Sequence, residues 1–468
     1  MTFHHLLTPA VLAILITSFA TQVSAVELSA PVYEAESCCK LCPEVQDISR
    51  YNTSFLKNSR MLVQGKGDWL FRTLLDLRTD FDYVDAGRPY LKKLREAFAR
   101  RGIELVVVYQ PTRGLVHRDK LTPEASASFN FDLALANYRT ALKRFEQIGF
   151  HAPDLSRLVD EHEEHAFYFR ADPHWTPYGA QRTAKVVAET IRSLPVFADI
   201  PRRAFTSKIV GRNSQGNKGV LGLAAAQLCG NSGNSIEYVD RFVTEPEEVR
   251  NEDLFSDIGI PNIVLVGTSH SGAVYNFPGF LLEYLDTDIL IFAYPEGGLE
   301  GGMIEYLGSE EFQNSPPKIL IWEFSANYRL DQDSIYRQLF ALLDDGCEGK
   351  QIEISSKARL GSGKQMVLVN SDAKMLANRD ARIDIRFTDA EVKTLRADFL
   401  YMNGSREVLR LDKTNRVATN GRFVFDMRAE GNWSDMVLLG VELEGTEEDG
   451  TPQELEVRVC RRTAAKPE

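Results

Sequence analysis

The rhythm of apolar residues changes once along this chain, near Cys347, and the change divides it into two kinds of fold. From about Asn58 to Leu343, short apolar runs that read as buried strands alternate with helical patterns. Residues 104–109 follow a basic amphipathic helix whose end is marked by Gly102, and residues 262–266, 288–293 and 318–322 repeat the pattern. Asp333 to Leu343 closes the region as a helix, with Asp333 or Ser334 as its N-cap. Strands separated by helices run parallel, so this region predicts a three-layer α/β domain with its site at the carboxyl ends of the strands. Trp69 is expected in the core of that domain. Beyond Cys347 the runs are short, alternating and separated by turn residues: 351–355, 366–370, 382–388, 398–402, 407–411, 422–427, 436–442 and 454–460. Such runs predict a β-sandwich. The division is therefore residues 26–347 and 348–468, after a leader.

The leader is residues 1–25. His4 and His5 give a weak basic start, residues 6–20 are apolar, and Val23-Ser24-Ala25 is a small-residue cleavage site. The apolar stretch is short for a membrane span, and no other segment approaches about 20 residues. The expectation is an exported, soluble mature protein with no membrane span, an uncleaved anchor being the alternative. Cysteine usage agrees with an oxidising compartment. Cys347 and Cys460 bracket the second region, as a bridge clasping one module would. A cysteine of the cluster Cys38, Cys39 and Cys42 pairs with Cys229. Cys42 is the expected partner, with Cys38 and Cys39 competing.

Two segments almost a hundred residues apart carry chemistry. In Gly267-Thr268-Ser269-His270-Ser271, the serine follows a buried strand, where a turn exposes its hydroxyl and backbone N–H groups are at hand for an oxyanion. In Ala171-Asp172-Pro173-His174-Trp175-Thr176-Pro177, His174 can take that serine's proton, and Asp172 can fix the imidazole tautomer and stabilise its charged form. Thr176 and Pro177 read as the N-cap and first residue of a helix running to about Arg192. The structural alternative is that Asp172 and His174 cap a turn and Ser269 caps a helix. No metal is expected: Cys38-Cys39-x-x-Cys42 lacks a second ligand pair, and the run from Glu161 to His165 reads as a solvated charged turn. No cofactor motif for coenzyme A or a nucleotide is present.

The net charge of −12 argues against a general polyanion binder, and nucleic acid is excluded by the export signal and the lack of a recognition motif. From residue 350 onward, basic and acidic residues balance at 20 each. Within 393–428, however, eight basic residues face four acidic ones. Along 392–402, Leu395, Ala397, Phe399 and Tyr401 form one apolar face, expected in the core. Arg396, Asp398 and Leu400 point the other way. With Arg406 they form a candidate surface for an anionic chain such as a uronate polysaccharide; a solvated face with one stray leucine is the alternative.

The Asp-Pro-His-Trp-Thr-Pro segment preceding Gly-Thr-Ser-His-Ser resembles the SGNH-hydrolase-like acetyltransferases of bacterial exopolysaccharide assembly. In ordinary SGNH hydrolases the serine comes first and an Asp-x-x-His near the end, so the order here is permuted and the pair is Asp-x-His. The family's glycine and asparagine oxyanion blocks have no plain counterpart. The segments from Glu296 to Gly302 and from Trp322 to Tyr328 occupy the corresponding strand ends, and Tyr328 is the preferred side-chain donor, a structural tyrosine being the alternative. The resemblance implies a periplasmic O-acetyltransferase acting on mannuronate hydroxyls of a polymer such as alginate, with other proteins of an acetylation and secretion complex as partners. Nothing in Ser269, His174 and Asp172 separates a transferase from a carbohydrate acetylesterase, and a non-catalytic scaffold that guides polymer is a third reading.

Overall fold

The computed structural model describes residues 41–161, 164–215, 219–230, 237–247, 260–445 and 452–462. The leader, Cys38, Cys39 and residues 162 and 163 lie outside them. Sixteen strands are named in chain order. β1 (Leu62–Gln64) and β2 (Leu70–Arg72) form a small antiparallel hairpin. β3 (Glu104–Gln110) follows, then β4 (Phe205–Gln215) and β5 (Glu237–Pro246), an antiparallel pair. β6 (Ile263–Gly267), β7 (Ile289–Ala293) and β8 (Ile319–Ser325) join β3 in one parallel sheet, in the order β3-β8-β6-β7.

The runs expected to be strands are strands; β3, β6 and β8 are buried on both faces, while β7, at the sheet edge, leaves Ile291 exposed. The chain steps outward from β6 to edge strand β7 through helix Phe277–Leu285, then back across β6 to β8 through helix Gly301–Leu307. Right-handed crossovers therefore place these helices on opposite faces, which makes three layers. Trp69 is buried in the core of this domain. Helix Asp333–Leu343 closes it, but its N-cap position is Gln332, with no side-chain cap. Asp333 is instead the first helical residue and pairs with Arg337 one turn on, at 3.4 Å.

The second region is two four-stranded antiparallel sheets. β9 (Ile352–Leu360), β10 (Gly363–Val369), β11 (Ala381–Phe387), β12 (Thr394–Tyr401), β13 (Arg406–Asp412), β14 (Arg422–Asp426), β15 (Leu438–Gly445) and β16 (Gln453–Arg461) are arranged as β10-β15-β12-β13 and β14-β11-β16-β9. Leu395, Ala397, Phe399 and Tyr401 all lie in the core between the sheets, as their alternation requires. Cys347–Cys460 is bridged, and so is Cys42–Cys229.

The sandwich sits on the α/β domain through buried charge. Arg337, on the closing helix, donates to Glu407 of β13 at 2.5 Å and to the Asp426 carbonyl of β14 at 2.7 Å. Arg382 of β11 reaches Asp426 at 2.7 Å and Asp344 at 2.9 Å. The segment after β7 is a second seat: Glu300 pairs with Lys413 at 3.0 Å, and Glu305 accepts from the Ala418 N–H at 2.7 Å.

Candidate active site

Ser269 stands just past the carboxyl end of β6, on a single 3-10 turn, Ser269–Ser271. Thr268 caps that turn, its hydroxyl accepting from the His270 N–H at 3.3 Å. Ser269 is partly exposed. The opposing hairpin, residues 167–176 around the Asp172 turn, is pinned along its length. The Phe169 N–H donates to the His174 carbonyl at 3.2 Å, and the Thr176 N–H to the Phe167 carbonyl at 2.8 Å. Thr176 then caps helix Pro177–Arg192 by accepting from the Gly179 N–H. Trp175, wholly buried, ties the two segments together by donating its indole N–H to the His270 carbonyl at 2.8 Å.

The three predicted side chains meet. His174 Nε2 lies 2.7 Å from Ser269 Oγ, and His174 Nδ1 lies 2.6 Å from Asp172 Oδ1. The same carboxylate oxygen accepts the His174 backbone N–H at 2.9 Å, and Oδ2 accepts the Val220 N–H at 2.9 Å. Burial opposes ionisation of Asp172, but the bonds from His174 and Val220 outweigh it and hold the carboxyl well below the usual range. An ionised Asp172 on Nδ1 leaves Nε2 as the acceptor for the serine proton. Val220 heads helix Gly219–Cys229, whose last residue carries the bridge to Cys42. Gly219 has φ +60°, and a Cβ there would lie 2.4 Å from the Ala171 carbonyl, so this helix meets the hairpin only with glycine at its start.

Residues that the sequence reading passed over complete the site. Arg113 is buried and collects carbonyls from the hairpin, Phe169 and Asp172 at 2.5 Å and Arg170 at 3.0 Å, and from Leu70 of β2 at 2.8 Å. Tyr275 stacks on the His174 ring, centroids 5.2 Å apart. His270 is held neutral, first by burial and then by the neighbouring His174. Beneath the serine turn lies Glu323 of β8, wholly buried; burial pushes its carboxyl up, while donors from Ser271 and Thr268 pull against it. A glutamate inside the apolar run Ile319–Ser325 was the available signal for it. Arg113 had none.

Tyr328, three residues beyond β8, is half-buried and packs against the core. Burial pushes its hydroxyl up to about 12, which keeps it protonated and able to donate. No hydrogen bond joins it to Ser269 among the described residues. Glu237 of β5 accepts the Arg170 N–H at 2.8 Å beside the hairpin, and burial raises its carboxyl to about 7.

The sandwich residues lie on the outer face of the sheet β10-β15-β12-β13. Arg396 and Arg406 are exposed at 42% and 48%, and Leu400 is half-buried directly across from Arg406. Asp398 shares the face but is covered, paired to Lys364 at 2.6 Å and to Arg406. Arg396 and Arg410 approach the same carboxylate, Glu444, at 3.7 and 3.6 Å.

A permuted three-layer α/β sheet with this serine turn, followed by a clasped β-sandwich, defines an SGNH-hydrolase-like protein with an appended carbohydrate-binding module. Residues 62–326 match the family model described as SGNH hydrolase-like domain, acetyltransferase AlgX, and residues 346–468 match a C-terminal carbohydrate-binding module. The chain belongs to the AlgX family. It is 53% identical over 446 residues to the alginate biosynthesis protein AlgX of Pseudomonas fluorescens, covering 94% of this chain and 91% of that protein. A solved structure of Pseudomonas aeruginosa AlgX superposes with a TM-score of 0.84 at 46% identity, covering 90% of this chain and 100% of that one. A probable alginate O-acetylase, AlgJ of Azotobacter vinelandii, is 28% identical over 274 residues, 57% of this chain and 69% of that protein.

Proposed function

We propose that this chain is a periplasmic O-acetyltransferase that acetylates mannuronate hydroxyls of alginate through an acyl-serine on Ser269. The observation that carries the reading is the unbroken hydrogen-bonded line from Ser269 through His174 to Asp172. The names of the AlgX and AlgJ relatives supply the substrate class, and the match to a carbohydrate-binding module supports a polymeric acceptor. Residues 1–25 serve as the export signal, 26–347 as the catalytic region and 348–468 as the module, and the two disulfides fit an oxidising compartment.

The chemistry follows from the geometry. Ser269 Oγ attacks the carbonyl carbon of an acetyl donor as its proton passes to His174 Nε2, and ionised Asp172 stabilises the imidazolium. The tetrahedral oxyanion is held by the Ser269 backbone N–H and by the Tyr328 hydroxyl. Collapse breaks the bond to the donor's leaving group, which takes the proton from His174. A sugar hydroxyl then gives its proton to His174, attacks the acyl-serine, and leaves as the acetyl ester while Ser269 regains its proton. Water in place of the sugar makes the same site an esterase. Arg396, Arg406 and Leu400 hold the polymer, with Asp398 orienting Arg406.

Incubating the protein with an activated acetyl ester and uronate oligomers, followed by mass spectrometry, separates the readings. Oligomers heavier by one acetyl group, absent with Ser269→Ala, are the expected result. Release of acetate alone makes the protein an esterase, and turnover by Ser269→Ala makes another group the nucleophile.

A further inference from the structure

The turn that carries Ser269 is not held by its own backbone alone. Glu323 is 0% exposed, in the middle of β8, and both of its oxygens face that turn. Oε2 accepts the Thr268 N–H at 2.9 Å and the Ser271 hydroxyl at 2.7 Å. Oε1 accepts the Thr268 hydroxyl at 3.0 Å and the side-chain amide of Gln110, which comes from β3 on the far side of β8. Thr268 and Ser271 flank the serine on either side, and the Thr268 hydroxyl that bonds Glu323 also accepts the His270 N–H. The carboxylate therefore grips both ends of the turn that sets Ser269 Oγ and the Ser269 N–H.

All four partners are donors, and their residues are each no more than 3% exposed. A carboxylate offers about four acceptor sites and no proton, so the set fits the ionised group. Buried donors do not readily give up their only acceptor, so the turn has little freedom to move while Glu323 is in place. The approach also needs the glycine before the turn. A Cβ on Gly267 would lie 2.7 Å from both Glu323 Oε2 and Ser271 Oγ.

We infer that Glu323 is a positioning residue for the acyl-transfer reaction: through Thr268 and Ser271 it fixes Ser269 Oγ and the Ser269 N–H where attack and oxyanion binding require them. This rests on the reading of Ser269 as the nucleophile. A carboxylate whose only task was stability would hold the fold together without setting a rate. Positioning predicts a loss in kcat with KM and folding preserved, because the ground-state ester does not need the aligned turn and the transition state does.

The test uses the full-length protein and 4-nitrophenyl acetate, with Tm measured for every variant. Glu323→Gln keeps the shape and one acceptor oxygen but loses the charge and turns one end of the group into a donor. Its kcat should fall about 30- to 100-fold, with KM within about twofold and Tm within a few degrees. Ser271→Ala removes one donor and leaves the carboxylate in place; its kcat should fall about fivefold. The rate at which phenylmethylsulfonyl fluoride modifies Ser269 should fall in parallel. If Glu323→Gln does not fold, Ser271→Ala alone decides. Wild-type kcat in the variants that fold, or a loss seen only in KM or Tm, overturns the inference. Ser269→Ala separates the two levels: if it turns over ester normally, the reading beneath fails, and if it is inactive while Glu323→Gln and Ser271→Ala are unimpaired, only the positioning role fails.

Discussion

Around Ser269, Asp172, Glu323 and Arg113 are almost wholly buried, and backbone or neutral side-chain groups satisfy much of their hydrogen bonding. On the outer sandwich face, Arg396, Arg406 and Arg410 are 42–51% exposed, and their partners are carboxylates, one of them shared by two arginines. The first arrangement is rigid. A buried ion that loses a partner leaves an uncompensated charge, so its neighbours stay where they are. The second is exchangeable, because an exposed ion pair is worth only about 0–1 kcal/mol and another carboxylate can replace the first. On the proposed reading, chemistry that depends on tenths of an ångström falls to the first region and polymer binding to the second.

The comparison breaks most easily at Asp172. Asp172→Asn keeps the shape but favours the wrong imidazole tautomer, so ester turnover should drop by about three to four orders of magnitude with Tm little changed. A loss of less than tenfold would mean that His174 is oriented by something else. Removing the bridge at its other end is the next largest effect. Cys42→Ser with Cys229→Ser opens a link spanning 187 residues, for which chain entropy alone gives roughly 5 kcal/mol. Because helix Gly219–Cys229 also delivers the Val220 N–H to Asp172, turnover at a temperature where the variant is still folded should fall as well as Tm. An effect confined to Tm would detach the bridge from the site.

On the sandwich face the expected changes are smaller. Arg396→Ala with Arg406→Ala should weaken the Kd for long uronate oligomers about tenfold, and added salt should weaken wild-type binding in the same direction. Glu444→Gln sharpens the contrast: it frees Arg396 and Arg410 from their shared carboxylate and should tighten binding about two- to threefold. Equal affinity in both variants would move the polymer surface elsewhere. The smallest effect concerns Glu237. Its folded carboxyl titrates near 7, above its unfolded value, so its contribution is present at low pH and is lost as pH rises from about 4.5 through 7. Glu237→Gln should therefore raise Tm by a few degrees at pH 8 and change it little at pH 4, as read by thermal melts across that range.

Much of this architecture was legible in the residues because it depends on local period. Alternation marked the sandwich strands, continuous apolar runs marked the parallel ones, and Thr176-Pro177 marked a helix start that the Thr176 cap bears out. The predicted cap on the closing helix failed for a local reason too, since Asp333 sits one residue inside the helix and turns to Arg337. The local charge balance was only partly legible. Basic residues outnumber acidic ones within 393–428, but several of them find acids from outside that stretch: Glu444 for Arg396 and Arg410, Glu300 for Lys413, Asp345 and Asp384 for Arg422.

By itself the sequence determined which residues could do chemistry and which periods the chain would follow. Ser269 after a buried strand, and His174 two residues from Asp172, are statements about neighbours along the chain. What surrounds them was decided only by the tertiary structure. Glu323 reaches the serine turn because β8 lies beside β6, and Gln110 reaches Glu323 because β3 lies beside β8. Arg113 comes to the Asp172 hairpin from a turn nearly sixty residues earlier. Strand order in a parallel sheet is set by the packing of crossover helices, which no local pattern encodes. The groups that hold the site in place are therefore neighbours across the sheet.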